Sequence, residues 1–267
     1  MNRRIIIALG VVAAIGVVAV AAFLVWTYLG GGSGEVSGPI SAPTLSLEEP
    51  TPQAEATAEP TAETATALPE ATEDPAQGDQ AAGSPQRVLF RIVPERSQVR
   101  FLIDELLFGA PNTVVGQTNQ VAGDIIADLG NPPSSQVGEI RINARSLATD
   151  NEFRNRALRN QILQSARDEF EFIRFVPTAL EGLPEGVTVG EPFSFRITGD
   201  LTIRDITQPV TFEATVTLAS ETRLEGTATA TVQRGAFELT IPNVPGVADV
   251  SEDVGLEIDF VAEAVQE

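Results

Sequence analysis

The chain has 267 residues and a formal net charge of −20 at pH 7, and it contains no cysteine, histidine or lysine. These absences exclude disulfides, Cys/His metal sites and catalytic arrangements that pair a nucleophile with histidine, so we expect no metal, no cofactor and no enzymatic activity. The acidic balance also makes nucleic acid an unsuitable partner, because phosphate backbones are bound by positive charge.

An uncharged apolar run extends from residue 5 to residue 29. As a helix it would be roughly 37 Å long at about 1.5 Å per residue, which is enough to cross a bilayer core. Two arginines precede the run and no basic residue follows it before Arg87, a distribution that keeps the N-terminus in the cytoplasm. We therefore predict a cytoplasmic tip and a transmembrane signal-anchor helix within residues 1–30. The alternative is a signal peptide cleaved after a small-x-small site at residues 19–21, Ala-Val-Ala.

The next segment, residues 31–86, is rich in Pro, Thr, Ala and Glu and carries ten acids with no arginine. Few apolar side chains and charges of one sign leave this segment without a core. We predict a disordered acidic linker here. It would connect the single membrane span to a domain outside the cytoplasm.

Residues 87–267 alternate between apolar and polar side chains in runs of about ten residues. The clearest run is "PFSFRITGDLTI", residues 192–203, and similar runs cover residues 209–218, 223–233 and 253–263. Such alternation is typical of strands with one buried face. About eight long strands joined by short turns predict an all-β domain, an extended antiparallel barrel that closes on itself and so removes exposed edges.

Small residues occupy several inward positions of these strands, namely Gly199, Gly226, Ala228 and Ala230. Small interior side chains either accommodate bulky neighbours or leave a cavity. The sequence leaves both interpretations open at this point. A barrel of about eight strands is already wide enough to hold one small ligand.

One helix-prone stretch interrupts the strands between Thr149 and Phe170. Asn151 and its two predecessors are N-cap residues, and Leu158 and Ile162 follow at helical spacing. We predict a short helix whose apolar stripe covers an open end of the barrel. Three arginines on this helix are candidates for contact with a charged head group: Arg154, Arg156 and Arg159.

The stretch "SLATDNEFRNRALRNQILQSARDEFEFIRF" and the later "GDLTIRDITQPVTFEATV" resemble the signatures of the YceI-like, polyisoprenoid-binding family. The matching positions in the first stretch are Ser146, Thr149, Arg154, Leu158, Ile173 and Phe175, while Phe170 and Glu171 stand where the family has tyrosine and proline. The resemblance extends from about Val88 to Ala264. The family's His-Ser pair appears here as Arg96-Ser97, and Asp205 replaces a glycine of the second signature.

The resemblance implies an extended lipocalin-like barrel with a long isoprenoid chain in its apolar interior. The partner would be a polyisoprenoid or an isoprenoid quinone. The inward residues that we assign to lipid binding are Phe101, Ile103, Ile142, Ile173, Phe175, Phe195, Ile197, Gly199, Leu201, Phe212, Gly226, Ala228 and Ala230.

Two other functions are compatible with the same residues. A barrel filled by its own side chains would serve as a structural or protein-interaction module on the linker. The acids Asp249, Glu252 and Asp253 lie close together in sequence, and a carboxylate pair of this kind is what a glycosidase needs. The sequence fixes neither the identity of the ligand nor the oligomeric state.

Overall fold

The computed structural model describes residues 34–47 and 87–265. The predicted anchor, residues 1–30, and most of the predicted linker lie outside the described residues. Among the described residues, no helix is both long enough and apolar enough to cross a membrane.

Within the described residues, thirteen strands form one antiparallel sheet, together with a single α-helix, α1, at Glu152–Ala157. The strands are β1 (Arg87–Ile92), β2 (Gln98–Leu107), β3 (Ala110–Thr118), β4 (Val121–Ala122), β5 (Asp124–Asp128), β6 (Gln136–Val137), β7 (Ile140–Asn143), β8 (Phe172–Glu181), β9 (Pro192–Ile203), β10 (Ile206–Ser220), β11 (Arg223–Gln233), β12 (Val247–Ala248) and β13 (Asp253–Ala264).

The sheet runs in the order β4-β7-β8-β9-β10-β11-β13-β1-β5-β6, and β13 also pairs with β2, which pairs with β3. Strand β3 leads into β4, and β4 pairs with β7. Gln117 and Ala148 exchange two backbone hydrogen bonds of 2.9 and 3.0 Å, which bring the end of β3 to the segment after β7. The sheet is therefore strongly curled, as in a lipocalin-like barrel, and the predicted all-β class with one short helix is confirmed.

The antiparallel register gives the curled sheet two distinct ends. At one end β2 stops at Leu107, β8 starts at Phe172 and β9 turns into β10 after Ile203; we call it the helix end, because α1 packs there. At the other end lie the connection between β8 and β9 and the turn between β10 and β11. We call this the opposite end.

The predicted alternation is visible in the burial of each long strand. In β9, Gly199, Leu201 and Ile203 are buried, whereas Ser194, Arg196 and Thr198 lie on the other face. Thr198 and Ser194 form hydrogen bonds with the hydroxyls of Thr211 and Thr215 across the β9–β10 pair. The period-two pattern therefore identified the inner face of the sheet correctly.

The helix begins where the capping residues predicted it. The Asn151 side chain accepts hydrogen bonds from the backbone N–H groups of Phe153, at 2.9 Å, and Arg154, at 3.1 Å. The α-helix ends at Ala157 and continues as one π-helical turn at Leu158–Ile162. Leu158, Ile162 and the following leucine are buried against the inner faces of β8, β9 and β10, so the predicted segment covers part of one end of the sheet.

A segment before the sheet, residues 34–47, lies against the outside of the domain, and we call it the strap. The carboxylate of Glu171 accepts from the Ser37 N–H at 2.8 Å and from its hydroxyl at 2.6 Å. Farther along, Arg141 donates to the Ser41 carbonyl and the Leu45 N–H donates to Asp124. For these residues the structure differs from the predicted disorder, because polar bonds to the domain replace the missing apolar core.

Candidate functional site

An apolar cavity of about 660 Å³ lies inside the curled sheet. Its walls include Leu183 and Val187 at the opposite end and Phe108 and Phe153 at the helix end, so it extends along the whole sheet. Between these ends the lining consists mainly of Ile, Leu, Val and Phe side chains from the strands. The volume falls within the roughly 300–1,000 Å³ range of ligand pockets.

Ten of the thirteen residues that we assigned to the interior line this cavity. They are Phe101, Ile103, Ile142, Ile173, Phe175, Phe195, Ile197, Leu201, Phe212 and Ala228. The other three, Gly199, Gly226 and Ala230, do not line it.

At the two glycines, rings of neighbouring residues occupy the space that a side chain would take. A Cβ atom built on Gly199 would lie 2.7 Å from the Phe175 ring and 2.5 Å from the Val176 carbonyl oxygen. A Cβ atom on Gly226 would lie 2.8 Å from the ring of Phe260, its partner on β13. Both interpretations of the small residues therefore hold, each at different positions: the glycines accommodate rings, and Ala228 borders open space.

Several lining residues were absent from our assignment. Other side chains that line the cavity are those of Phe193, Val216, Ile258 and Phe260. Each lies an even number of residues away from another inward-facing residue of its own strand. The alternation could therefore have identified them. Leu183 belongs to the connection between β8 and β9, where no strand pattern exists to indicate an inward side chain.

Of the three predicted head-group arginines, only Arg154 lines the cavity. Its guanidinium donates to Asp150 at 2.7 Å and to the buried carboxylate of Glu105 at 3.3 Å. Arg156 lies 5.6 Å from the centre of the Phe153 ring. The charge of Arg154 is thus already balanced by two carboxylates, and an anionic head group would compete with them for this arginine.

The acids proposed for a glycosidase take part in structural contacts. Glu252 pairs with Arg234, Asp253 accepts a hydrogen bond from Gln233, and the backbone of Asp249 adopts a positive φ of 49°. Within the described parts of the chain, no group of three or more acidic side chains is placed to hold a metal ion.

A buried ion pair holds the helix end together. The side chain of Arg145 is 1% exposed and that of Glu171 is 5% exposed, and their charged atoms are 3.0 Å apart. Arg145 also donates to the carbonyl oxygens of Ser165 and Glu35. Sequence reasoning missed this pair, although Glu171 stands where the resembling family has proline.

The pKa of Glu171 reflects two opposing influences. Burial alone would raise the pKa of this carboxyl, but hydrogen bonds from the Ser37 hydroxyl and N–H, then from Asn143, together with the charge of Arg145, lower it overall. Two of these bonds come from the strap. Docking of the strap and ionisation of Glu171 therefore favour each other.

A curled antiparallel sheet around an apolar cavity is the architecture of small ligand-holding barrels. The family model of the YceI-like domain matches residues 90–262, and the chain belongs to this family.

The fold resembles several solved structures, of which we describe two, and no curated protein matches the chain. The first is a polyisoprenoid binding domain from Saccharophagus degradans implicated in plant cell wall breakdown, with 14% identity, a TM-score of 0.51, and coverage of 68% of this chain and 100% of that one. The second is BcnA of Burkholderia cenocepacia, with 16% identity, a TM-score of 0.49, and coverage of 64% and 98%. At these identities the first structure supports the fold alone.

Proposed function

We propose that this protein holds a long apolar lipid, a polyisoprenoid or an isoprenoid quinone, inside a lipocalin-like barrel. The observation that carries the proposal is the apolar cavity of about 660 Å³ that reaches from one end of the sheet to the other. Burial of such a chain is worth about 0.8 kcal/mol per CH₂ group. A cavity lined mainly by Ile, Leu, Val and Phe side chains suits a ligand that is recognised by its hydrocarbon chain.

The family supports the same ligand class. The chain belongs to the YceI-like domain family, and the Saccharophagus degradans domain that shares its fold is described as polyisoprenoid binding. The open cavity also argues against the filled-barrel module, since that function requires side chains to occupy the interior.

The proposed location is the outer face of a cell membrane. The uncharged run at residues 5–29 and the arginines before it support an uncleaved anchor with a cytoplasmic N-terminus. The barrel would then hold its lipid outside the cytoplasm, next to the bilayer that supplies such molecules.

The test uses a chain of residues 34–267, which keeps every described contact of the strap and the sheet. It should be purified from bacterial membranes and cytosol without detergent, then analysed by native mass spectrometry and lipid extraction. We expect a bound species with the mass of a polyprenyl lipid or an isoprenoid quinone. A protein that stays empty after incubation with both lipid classes would contradict the proposal.

A further inference from the structure

The helix end of the barrel exposes apolar side chains around the cavity. Phe108 is 84% exposed and Phe153 is 80% exposed, and they are the only two exposed aromatic residues within the described ranges. Val36 and Val244 are also exposed. Phe108, Phe153 and Val244 line the cavity, so we call these three residues the apolar rim of its mouth.

The structure holds both rings of the apolar rim outward. Phe108 has a φ of 50°, and its N–H donates to the Gly246 carbonyl at 2.6 Å. Its ring lies over Gly246, where an added Cβ would be 2.4 Å away. Phe153 lies in the first turn of α1 beside the guanidinium of Arg156. Neither ring is buried in the core, although burial of an aromatic side chain normally stabilises a fold.

The chain enters the domain at this same end. The strap begins at Gly34, and Glu35 and Ser37 contact the Arg145–Glu171 pair just before β8. Only residues 30–33 separate Gly34 from the apolar run that ends at residue 29. At about 3.5 Å per residue, five extended steps bridge no more than about 17 Å. With residues 5–29 in the bilayer, the helix end must lie close to the membrane surface.

We infer that the apolar rim docks into the bilayer that anchors the chain, with Phe108 and Phe153 at the interface and the cavity mouth facing the lipid. The inference rests on the proposed function for its purpose, which is passage of the lipid between bilayer and barrel. Aromatic rings favour the membrane interface. The domain from residue 87 onward carries 27 acids and 15 arginines, so its net charge does not attract anionic lipids and the proposed contact rests on the apolar side chains.

The test places tryptophan probes in the full chain, reconstituted in nanodiscs of zwitterionic phosphatidylcholine with brominated acyl chains. Trp26 is the single native tryptophan, and Trp26→Phe removes its signal. Phe108→Trp and Phe153→Trp probe the rim. Val189→Trp is the control, because Val189 is also exposed but lies at the opposite end. We expect the emission at positions 108 and 153 to shift to the blue and to lose most of its intensity, and the emission at 189 to keep it.

Hydrogen–deuterium exchange on the unmodified chain gives a second measurement that needs no substitution. The amides of residues 107–110 and 151–154 should exchange more slowly in nanodiscs than in detergent. Probes at 108 and 153 that are not quenched would overturn the inference. Slower exchange together with cross-linked dimers, but without quenching, would also overturn it, because the rim would then bind a second copy of the chain. The proposed function is tested separately, by incubating the chain with a polyprenyl lipid and with an isoprenoid quinone. Quenching at positions 108 and 153 in a chain that stays empty after both incubations would contradict the proposed function and leave the docking intact.

Discussion

At the scale of single residues, the glycines of the sheet do two different things. At Gly199 and Gly226, phenylalanine rings fill the space that a side chain would occupy. A Cβ atom on Gly255 of β13 would make only ordinary van der Waals contacts, the nearest at 3.6 Å. Alternation along the chain predicts which face a residue lies on. It does not predict which ring on a neighbouring strand fills the space, because that depends on the register between strands.

Gly199→Ala should therefore lower the free energy of unfolding by about 1–3 kcal/mol, the usual effect of overpacking a core. The Val176 carbonyl oxygen, 2.5 Å from the added carbon, is backbone and cannot move aside easily. Gly255→Ala should be neutral or slightly stabilising, because glycine weakens a strand interior. Urea denaturation of the two variants checks this, and equal effects would contradict the assigned packing.

Ala228→Trp tests the cavity from within. Ala228 lines the cavity on β11, so the larger ring should occupy ligand volume and abolish lipid binding while the domain stays folded. Thr229→Trp places the same ring on the exposed outer face of the strand and should leave binding unchanged. Native mass spectrometry measures the bound lipid, and circular dichroism shows whether each variant is folded. A folded Ala228→Trp protein that binds lipid as the parent does would refute the assignment of the cavity.

At the scale of elements, the strands and the helix cover could be predicted but the strap could not. The strands repeat with period two, and Asn151 caps the helix where the sequence indicated. The strap has no periodicity and the composition of a linker. It is fixed by bonds from Ser37 to Glu171, a carboxylate far away in sequence that becomes a partner only after the sheet has folded.

Glu171→Gln should remove the buried negative charge that pairs with the buried guanidinium of Arg145. Breaking a buried pair by changing one partner costs about 3–5 kcal/mol, and we expect the lower part of this range because Asp168 also contacts Arg145. Glu169→Gln is the control, since its pair with Arg167 is exposed on both sides and should contribute about 0–1 kcal/mol. Thermal unfolding at neutral pH distinguishes the two.

The same carboxylate predicts a pH dependence. The folded state lowers the pKa of Glu171 below its ordinary value of 4.5, so the ionised group stabilises the fold above about that pH. The stabilisation is lost as the pH falls from there through the lower folded pKa. The melting temperature of the parent should therefore fall more steeply below pH 4.5 than that of Glu171→Gln. Parallel curves for the two proteins would show that folding does not lower the pKa of Glu171.

At the scale of the whole molecule, the docked strap changes what the acidic linker does. Leu45 of the strap bonds to Asp124, and Arg87 pairs with Asp128 on the same strand, β5. Residues 48–86 therefore connect two neighbouring points of one domain, about 14 Å apart along β5 at about 3.4 Å per residue. Composition predicted a spacer between membrane and barrel and gave no indication that residues 34–47 attach to the domain.

This arrangement predicts that the length of the acidic segment does not set the distance of the barrel from the membrane. Deleting residues 55–80 should leave that distance unchanged, because the strap would still hold the domain next to the proposed anchor. Combining Ser37→Ala with Glu171→Gln should increase the distance, since release of the strap adds its residues and the linker to the tether. The chain has no cysteine, so a dye on Val189→Cys reports the distance by energy transfer to labelled lipid head groups in nanodiscs. A barrel that moves toward the membrane when residues 55–80 are removed would show that the strap does not hold it there.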